Sequence, residues 1–152
     1  MKQDYRCLCG PLAAGLFVLG VAGLALVIPG YSHMRQTVSE IGEIGSPARV
    51  SFAIILCCVA ACILAFALAV CDISVQLGHS TLAAYLIGSM AASAAAVGVF
   101  AYPHPLHNVF GISELIGYQA PLALALTWRR NLWARTLVTF FVGYVCGHMG
   151  CY

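Results

Sequence analysis

The sequence predicts an all-α fold, a polytopic bundle of transmembrane helices that forms one domain over residues 1–152. Of the 152 residues, 62% are hydrophobic and only 8% are charged, whereas soluble globular domains carry about 25% charged residues. The mean hydropathy is +0.93. Because so few charged groups could not cover a water-facing surface, a soluble domain is excluded. The formal net charge of +2 is also too small to indicate nucleic-acid binding.

Apolar runs of about 20 residues, the length that crosses a bilayer as a helix, recur about five times along the chain. They are approximately Gly10–Pro29, Val50–Cys71, Thr81–Tyr102, Val109–Trp128 and Trp133 to the end of the sequence. The first run is longer than the apolar part of a typical signal peptide and no A-x-A-like cleavage site follows it, so we interpret it as a retained span. Pro121 interrupts the fourth run, which a membrane helix tolerates.

The third run is rich in small residues. Gly88, Ala92 and Ala96 recur at intervals of four residues, a pattern that lets membrane helices approach closely. This face is therefore a predicted contact surface between copies of the chain in a homo-oligomer. Membrane lipids are the other expected partners.

Lysine and arginine residues are distributed unequally between the two sides that five alternating spans define. One side carries five of them and the other carries two, in chain order Lys2, Arg6, Arg129, Arg130 and Arg135 against Arg35 and Arg49. Basic residues collect on the cytoplasmic side of membrane proteins. The sequence therefore predicts a cytoplasmic N-terminus and a multi-pass location in the cytoplasmic (inner) membrane.

Two loops, residues 30–49 and 102–108, fall on the same, outer side of this topology and contain most of the polar residues that could form a site. Long loops in compact proteins are usually functional or disordered, and we expect these two to pack together at the mouth of the bundle. If residues 39–44 form a helical turn, Glu40 and Glu43 share one face. The candidate ligand-binding residues are His33, Arg35, Ser39, Glu40, Glu43, His104, His107 and Glu114.

Glu114 differs from the other candidates because it lies within the fourth apolar run. A carboxylate inside a span is costly and often marks a pathway or a site, although one near a helix end can also meet water at the level of the headgroups. If Glu114 faces the bundle it needs a partner, and the sequence suggests His107, Arg35 or Arg49.

The stretch from Tyr31 to Pro47 contains the pattern S-E-x-G-x-x-G-S-P at residues 39–47. It resembles the loop after the first span in the bacterial and archaeal membrane proteins grouped as domain of unknown function 998. The resemblance covers about residues 10–130, with Phe100 and Pro103 at a boundary that members share and His107 just ahead of span four. It implies a multi-pass fold without a known activity. Members often carry an acidic residue where this chain has His104, and they tend to have six spans. The loop is more distantly similar to a motif of the DRAM/Frag/Sfk membrane proteins, which implies lipid handling.

Three functions are compatible with these residues. The first is binding of a lipid or small amphiphile at the outer loops, and it leads by default. The second is an enzyme that acts on lipid headgroups, with Glu40, Glu43, His104 and His107 as acid–base groups or metal ligands. The third is a small proton-linked transporter that uses Glu114, although the sequence shows no convincing internal repeat. No metal site is predicted, because neither H-E-x-x-H nor E-x-x-H occurs, and cofactor content stays open.

Overall fold

The computed structural model describes residues 4–128, and its regular structure is entirely helical over that range. A short 3-10 helix, Tyr5–Leu8, leads into the first α-helix, and a second 3-10 helix, Val38–Gly42, lies in the long loop. The five α-helices are α1 (Cys9–Ala25), α2 (Arg49–Gln76), α3 (Leu82–Val99), α4 (Pro105–Gly117) and α5 (Ala120–Thr127). The predicted all-α fold is confirmed.

Four stretches of this chain are long and apolar enough to cross a membrane. They are Tyr5–Ala25, Arg49–Gln76, Leu82–Val99 and Pro105–Thr127. The last one combines α4 and α5, which are separated by a short break just before Pro121, a residue in the first turn of α5. The chain is therefore a multi-pass membrane protein, whereas the fifth predicted span, from Trp133 onward, lies outside the described residues.

Two predicted boundaries were wrong, and both errors have a physical cause. Helix α4 begins at Pro105 and not near Val109, because proline fits the first turn of a helix and the Nδ1 atom of His104 accepts a hydrogen bond from the backbone N–H of Leu106 at 3.2 Å. Helix α2 continues past Asp72 to Gln76. The carboxylate of Asp72 is paired with the guanidinium group of Arg6 at 2.7 Å, so Asp72 does not end the helix.

The alternation of loops between the two ends of the bundle follows the predicted order. At one end, Arg6 reaches Asp72, and the ring of His79 lies 5.3 Å from that of Trp128. At the other end, the backbone N–H of Ile44 donates to the carbonyl oxygen of Tyr102 at 2.9 Å. The loops of interest therefore share one end. Which side of the membrane this end faces stays a prediction.

The core consists of two apolar clusters, one near each end of α2. The cluster at the loop end contains Val21, Ile41, Ala48, Phe52 and Leu56, and the other contains Ala67, Val70, Ala84, Ile87 and Ala120. Ile41 is completely buried although it belongs to the long loop. The loop is therefore packed as part of the protein core, which fixes its position relative to the spans.

The small residues of α3 serve two different surfaces. Gly98 contacts α2, where a Cβ would lie 3.1 Å from the Cβ of Leu56. The predicted face of Gly88, Ala92 and Ala96 is different, because Ala92 is exposed and no atom of another described helix approaches within 4 Å of a Cβ built on Gly88. Helices in residues 4–128 thus leave this face open, and its use in a homo-oligomer stays a prediction.

Candidate functional site

The long loop is organised around the carboxylate of Glu40. One oxygen of Glu40 accepts hydrogen bonds from the backbone N–H and the hydroxyl of Thr37, at 2.9 and 3.1 Å, and the other accepts from the side-chain amide of Gln36 at 3.1 Å. The backbone bond from Thr37, followed by the bond from Gln36, lowers the pKa of Glu40. Glu40 is therefore held ionised and used within the loop as a helix-capping group.

The other residues of the S-E-x-G-x-x-G-S-P pattern also have local roles. Gly42 packs against the ring of Phe52 so closely that any Cβ would overlap it. Gly45 has φ +99°, a backbone conformation that side chains with a Cβ rarely adopt. The hydroxyl of Ser46 donates to the carbonyl of Ile41 at 2.7 Å and accepts from the N–H of Ala48 at 3.2 Å. The pattern thus specifies the shape of the loop and its seat on α2.

His107 connects the second loop to the first. Its Nδ1 lies 2.7 Å from the carbonyl oxygen of Phe100, and its Nε2 lies 3.0 Å from the hydroxyl oxygen of Ser39. Because a carbonyl oxygen only accepts, Nδ1 carries the proton. In the neutral imidazole Nε2 is then an acceptor, and the hydroxyl of Ser39 donates to it. The side chain of His107 is 4% exposed, so these two bonds satisfy an otherwise costly buried group.

The two loops therefore meet at two points, the Ser39–His107 bond and the bond from Ile44 to Tyr102. The expectation that they pack together is confirmed. We call residues 31–47 and 100–107 together the loop platform.

Comparison of the sequence with models of known protein families identifies the family. The model of the family described as protein of unknown function (DUF998) matches residues 11–152. The chain belongs to the DUF998 family. No curated protein and no solved structure matches it. The match extends beyond the residues 10–130 on which the resemblance rested, and it includes the whole loop platform of this DUF998 protein.

Several predicted site residues of the DUF998 chain lie at the surface of the platform. His33 sits edge-on against Tyr31, with ring centroids 5.0 Å apart, and His104 stacks on Phe100 at 5.2 Å. Arg35 and Glu43 are also exposed, and neither side chain forms a hydrogen bond or ion pair within residues 4–128.

The carboxylates and histidines do not converge as a metal site would require. Glu43 is the C-cap residue of the 3-10 helix, and its backbone N–H donates to the carbonyl oxygen of Glu40 at 3.3 Å. The two carboxylates share no hydrogen-bond partner within residues 4–128, and their expected common face stays a prediction. Residues 4–128 contain no group of three or more His, Cys, Asp or Glu side chains arranged to hold a metal ion.

Glu114 lies outside the loop platform. It is half-buried on α4 and forms no hydrogen bond or ion pair through its side chain with any residue in the described part of the chain. The predicted pairing with His107, Arg35 or Arg49 is wrong: His107 bonds to Phe100 and Ser39, and neither arginine forms an ion pair within residues 4–128. Its neighbour Ser113 does cross between helices, since the hydroxyl of Ser93 lies 2.7 Å from that of Ser113.

The residues that sequence reasoning missed are Tyr31, Gln36, Thr37 and the carbonyl of Phe100. Thr37 precedes Glu40 by three residues, the spacing of a helix-capping box, so a local signal for this pair was present. Tyr31 donates to the carbonyl of Thr37 at 3.0 Å. No sequence pattern predicts that the carbonyl of Phe100 accepts a hydrogen bond from His107, because this bond depends on the tertiary position of His107.

Proposed function

We propose that this protein of the cytoplasmic membrane binds the anionic headgroup of a lipid or small amphiphile at its loop platform. The observation that supports this function is the surface of the polar loop at the ends of the spans. Unpaired guanidinium groups and apolar side chains are exposed there side by side. Met34 is 93% exposed beside the exposed Arg35. An amphiphile offers a matching combination of charge and apolar surface.

Two guanidinium groups beside the platform favour an anionic ligand. Arg35 and the adjacent Arg49, at the start of α2, are both exposed, whereas the carboxylate of Glu40 is hydrogen-bonded inside the loop and only that of Glu43 is exposed. The two arginines have no ion-pair partner in residues 4–128. Guanidinium groups bind phosphate oxygens in a bidentate manner, so a phosphate-containing headgroup is the preferred ligand.

Apolar side chains around the charges favour a ligand that is attached to an acyl chain. Ile44 is 60% exposed and Leu106 is 40% exposed, one on each loop of the platform. Both loops connect membrane-spanning stretches, so these side chains lie near the membrane–water boundary. A free inorganic phosphate would leave them without a partner.

The alternative functions have less support. An enzyme acting through the four predicted acid–base groups requires their side chains to converge: Glu40, Glu43, His104 and His107. The carboxylate of Glu40 is hydrogen-bonded within its own loop. His107 is buried, whereas Glu43 and His104 are exposed. Transport through Glu114 rests on a single half-buried carboxylate in a membrane-spanning stretch, with which no other charged side chain pairs within residues 4–128.

The proposed orientation places the loop platform on the outer face, because basic residues are fewer on that side. A reporter that is active only outside the cytoplasm, inserted after Ser46, is expected to be active, and one inserted at the link after Leu77 is expected to be inactive. The reverse result would contradict the orientation.

Binding is tested by native mass spectrometry of the purified protein with phosphatidylglycerol, phosphatidylcholine and glycerol 3-phosphate. Each basic group near an anionic surface contributes about 1 kcal/mol, so Arg35→Gln combined with Arg49→Gln is expected to weaken phosphatidylglycerol binding roughly 25-fold. Binding of glycerol 3-phosphate is expected to be much weaker than that of the lipid.

Two single variants serve as controls. Arg6→Gln removes the same charge at the opposite end of the bundle and is expected to leave lipid binding unchanged. Glu43→Gln removes the opposing carboxylate and is expected to strengthen binding. Equal losses in Arg6→Gln and in the Arg35/Arg49 double variant, or no preference for the anionic lipid, would overturn the proposal.

A further inference from the structure

We infer that Ser39 is a nucleophile activated by His107, and that the loop platform transfers the acyl group of a carboxylic ester to water. This activity goes beyond headgroup binding and does not depend on it. It rests on the arrangement of Ser39, His107 and the carbonyl of Phe100, which come from separate parts of the chain.

The Ser39–His107 pair has the geometry of a nucleophile and its general base. The hydroxyl oxygen of Ser39 lies 3.0 Å from Nε2 of His107, within the 2.6–3.2 Å range that proton transfer requires. The protonated Nδ1 faces the carbonyl of Phe100 at 2.7 Å, so the unprotonated nitrogen is the one that faces Ser39. A hydroxyl that donates to an unprotonated imidazole nitrogen is ready to lose its proton as it attacks.

The imidazole is also held in a fixed orientation. Besides the bond to Phe100, the ring of Tyr102 stands edge-on to that of His107 at a centroid distance of 5.9 Å. The imidazole is also packed within the loop platform, since His107 is buried. In serine hydrolases a third group accepts a hydrogen bond from the histidine and holds its ring in the correct orientation. The neutral carbonyl of Phe100 fills this role here, in the place of the carboxylate of a serine–histidine–aspartate triad.

A donor for the developing oxyanion is available at the nucleophile itself. The backbone N–H of Ser39 has no hydrogen-bond acceptor within residues 4–128. The N–H of a nucleophilic serine commonly donates to the oxyanion of the tetrahedral intermediate. Ser39 is half-buried while His107 is buried, so the serine is the more accessible member of the pair.

The reaction needs only the ester and water as reactants. Ser39 Oγ bonds to the ester carbonyl carbon while its proton moves to Nε2 of His107. The bond to the alcohol oxygen then breaks, and that oxygen takes the proton from Nε2. Water next gives a proton to Nε2 and attacks the acyl carbon, and Ser39 Oγ leaves and recovers the proton. The products are an alcohol and a carboxylic acid.

The class of substrate follows from the surface around the pair. The loop that carries Ser39 also carries the exposed Met34 and Ile44, and Leu106 is exposed next to His107. An ester with a long acyl chain, presented at the membrane surface, would be in contact with these side chains, whereas an acetate ester would gain little from them.

The experiment is labelling of the detergent-purified, full-length protein with a fluorophosphonate probe, followed by peptide mass spectrometry. We expect an adduct on Ser39 and none on Ser32, which lies in the same loop without a histidine partner. Ser39→Ala is expected to abolish the adduct. His107→Asn keeps an N–H that can donate to Phe100 but removes the general base, since an amide does not take up the proton of Ser39, and it is expected to slow labelling at least ~100-fold.

Thermal unfolding of each variant separates chemistry from folding, because a variant that stays folded and loses labelling has lost the reaction itself. We expect hydrolysis of 4-nitrophenyl octanoate by the unmodified protein to exceed that of the acetate ester and to disappear in Ser39→Ala. Absence of an adduct on Ser39 in the folded protein would overturn the inference. Equal labelling of Ser32 and Ser39, or undiminished labelling of folded His107→Asn, would do the same and would leave the Ser39–His107 bond as a structural link.

Discussion

Replacing His107 with alanine is expected to lower the free energy of unfolding by about 2–4 kcal/mol. The substitution removes a buried ring and leaves the carbonyl of Phe100 and the hydroxyl of Ser39 without their partner. It also separates the two halves of the loop platform, because one of their two points of contact is lost. Thermal unfolding of the purified protein in detergent measures the effect.

His33→Ala is the matched control for this substitution. His33 belongs to the same platform but is exposed, and its ring lies edge-on against that of Tyr31. Exposed substitutions usually change stability by less than about 0.5 kcal/mol. If His107→Ala proved no more destabilising than His33→Ala, the Ser39–His107 link would not hold the loops together.

The second large effect is expected for Gly42→Ala, at about 1–3 kcal/mol of lost stability. A Cβ on residue 42 would overlap the ring of Phe52, which is buried in the apolar cluster at the loop end of α2. Either the loop lifts from α2 or the ring leaves its position, and both disturb packing that includes Ile41.

Two further variants make the Gly42 prediction specific. Gly15→Ala, in the middle of α1, meets no atom within 4 Å and is expected to be neutral or slightly stabilising, since alanine favours a helix over glycine. Phe52→Leu in the Gly42→Ala background shortens the obstructing side chain and is expected to restore part of the loss. Additive effects of Gly42→Ala and Phe52→Leu would argue against direct contact between residues 42 and 52.

Much of the fold was predictable because hydropathy acts over whole segments. Runs of about 20 apolar residues specify membrane helices whatever their partners are, and the first three spans were found in this way. The end of α2 was missed because Asp72 is neutralised by Arg6, 66 positions away in the sequence. The start of α4 was missed although Pro105 is a local signal for a first helical turn.

The candidate site was predictable only in part, for a related reason. Glu40 and Thr37 lie three residues apart, so their interaction is local and visible in sequence. Ser39 and His107 are 68 positions apart, and nothing in either segment specifies the other. The pairing of Glu114 was predicted wrongly because placement at the same membrane level does not determine which way a side chain points.

The two loops form one hydrogen-bonded platform, and a double-mutant cycle on Ser39 and His107 tests this link most directly. The free energy of unfolding is measured for the parent protein, Ser39→Ala, His107→Asn and the double variant. The two losses are expected to be non-additive, with a coupling energy of about 0.5–1.5 kcal/mol, because each substitution alone already removes the bond. Losses that add within about 0.3 kcal/mol would contradict the claim, since residues that share no contact behave in that way.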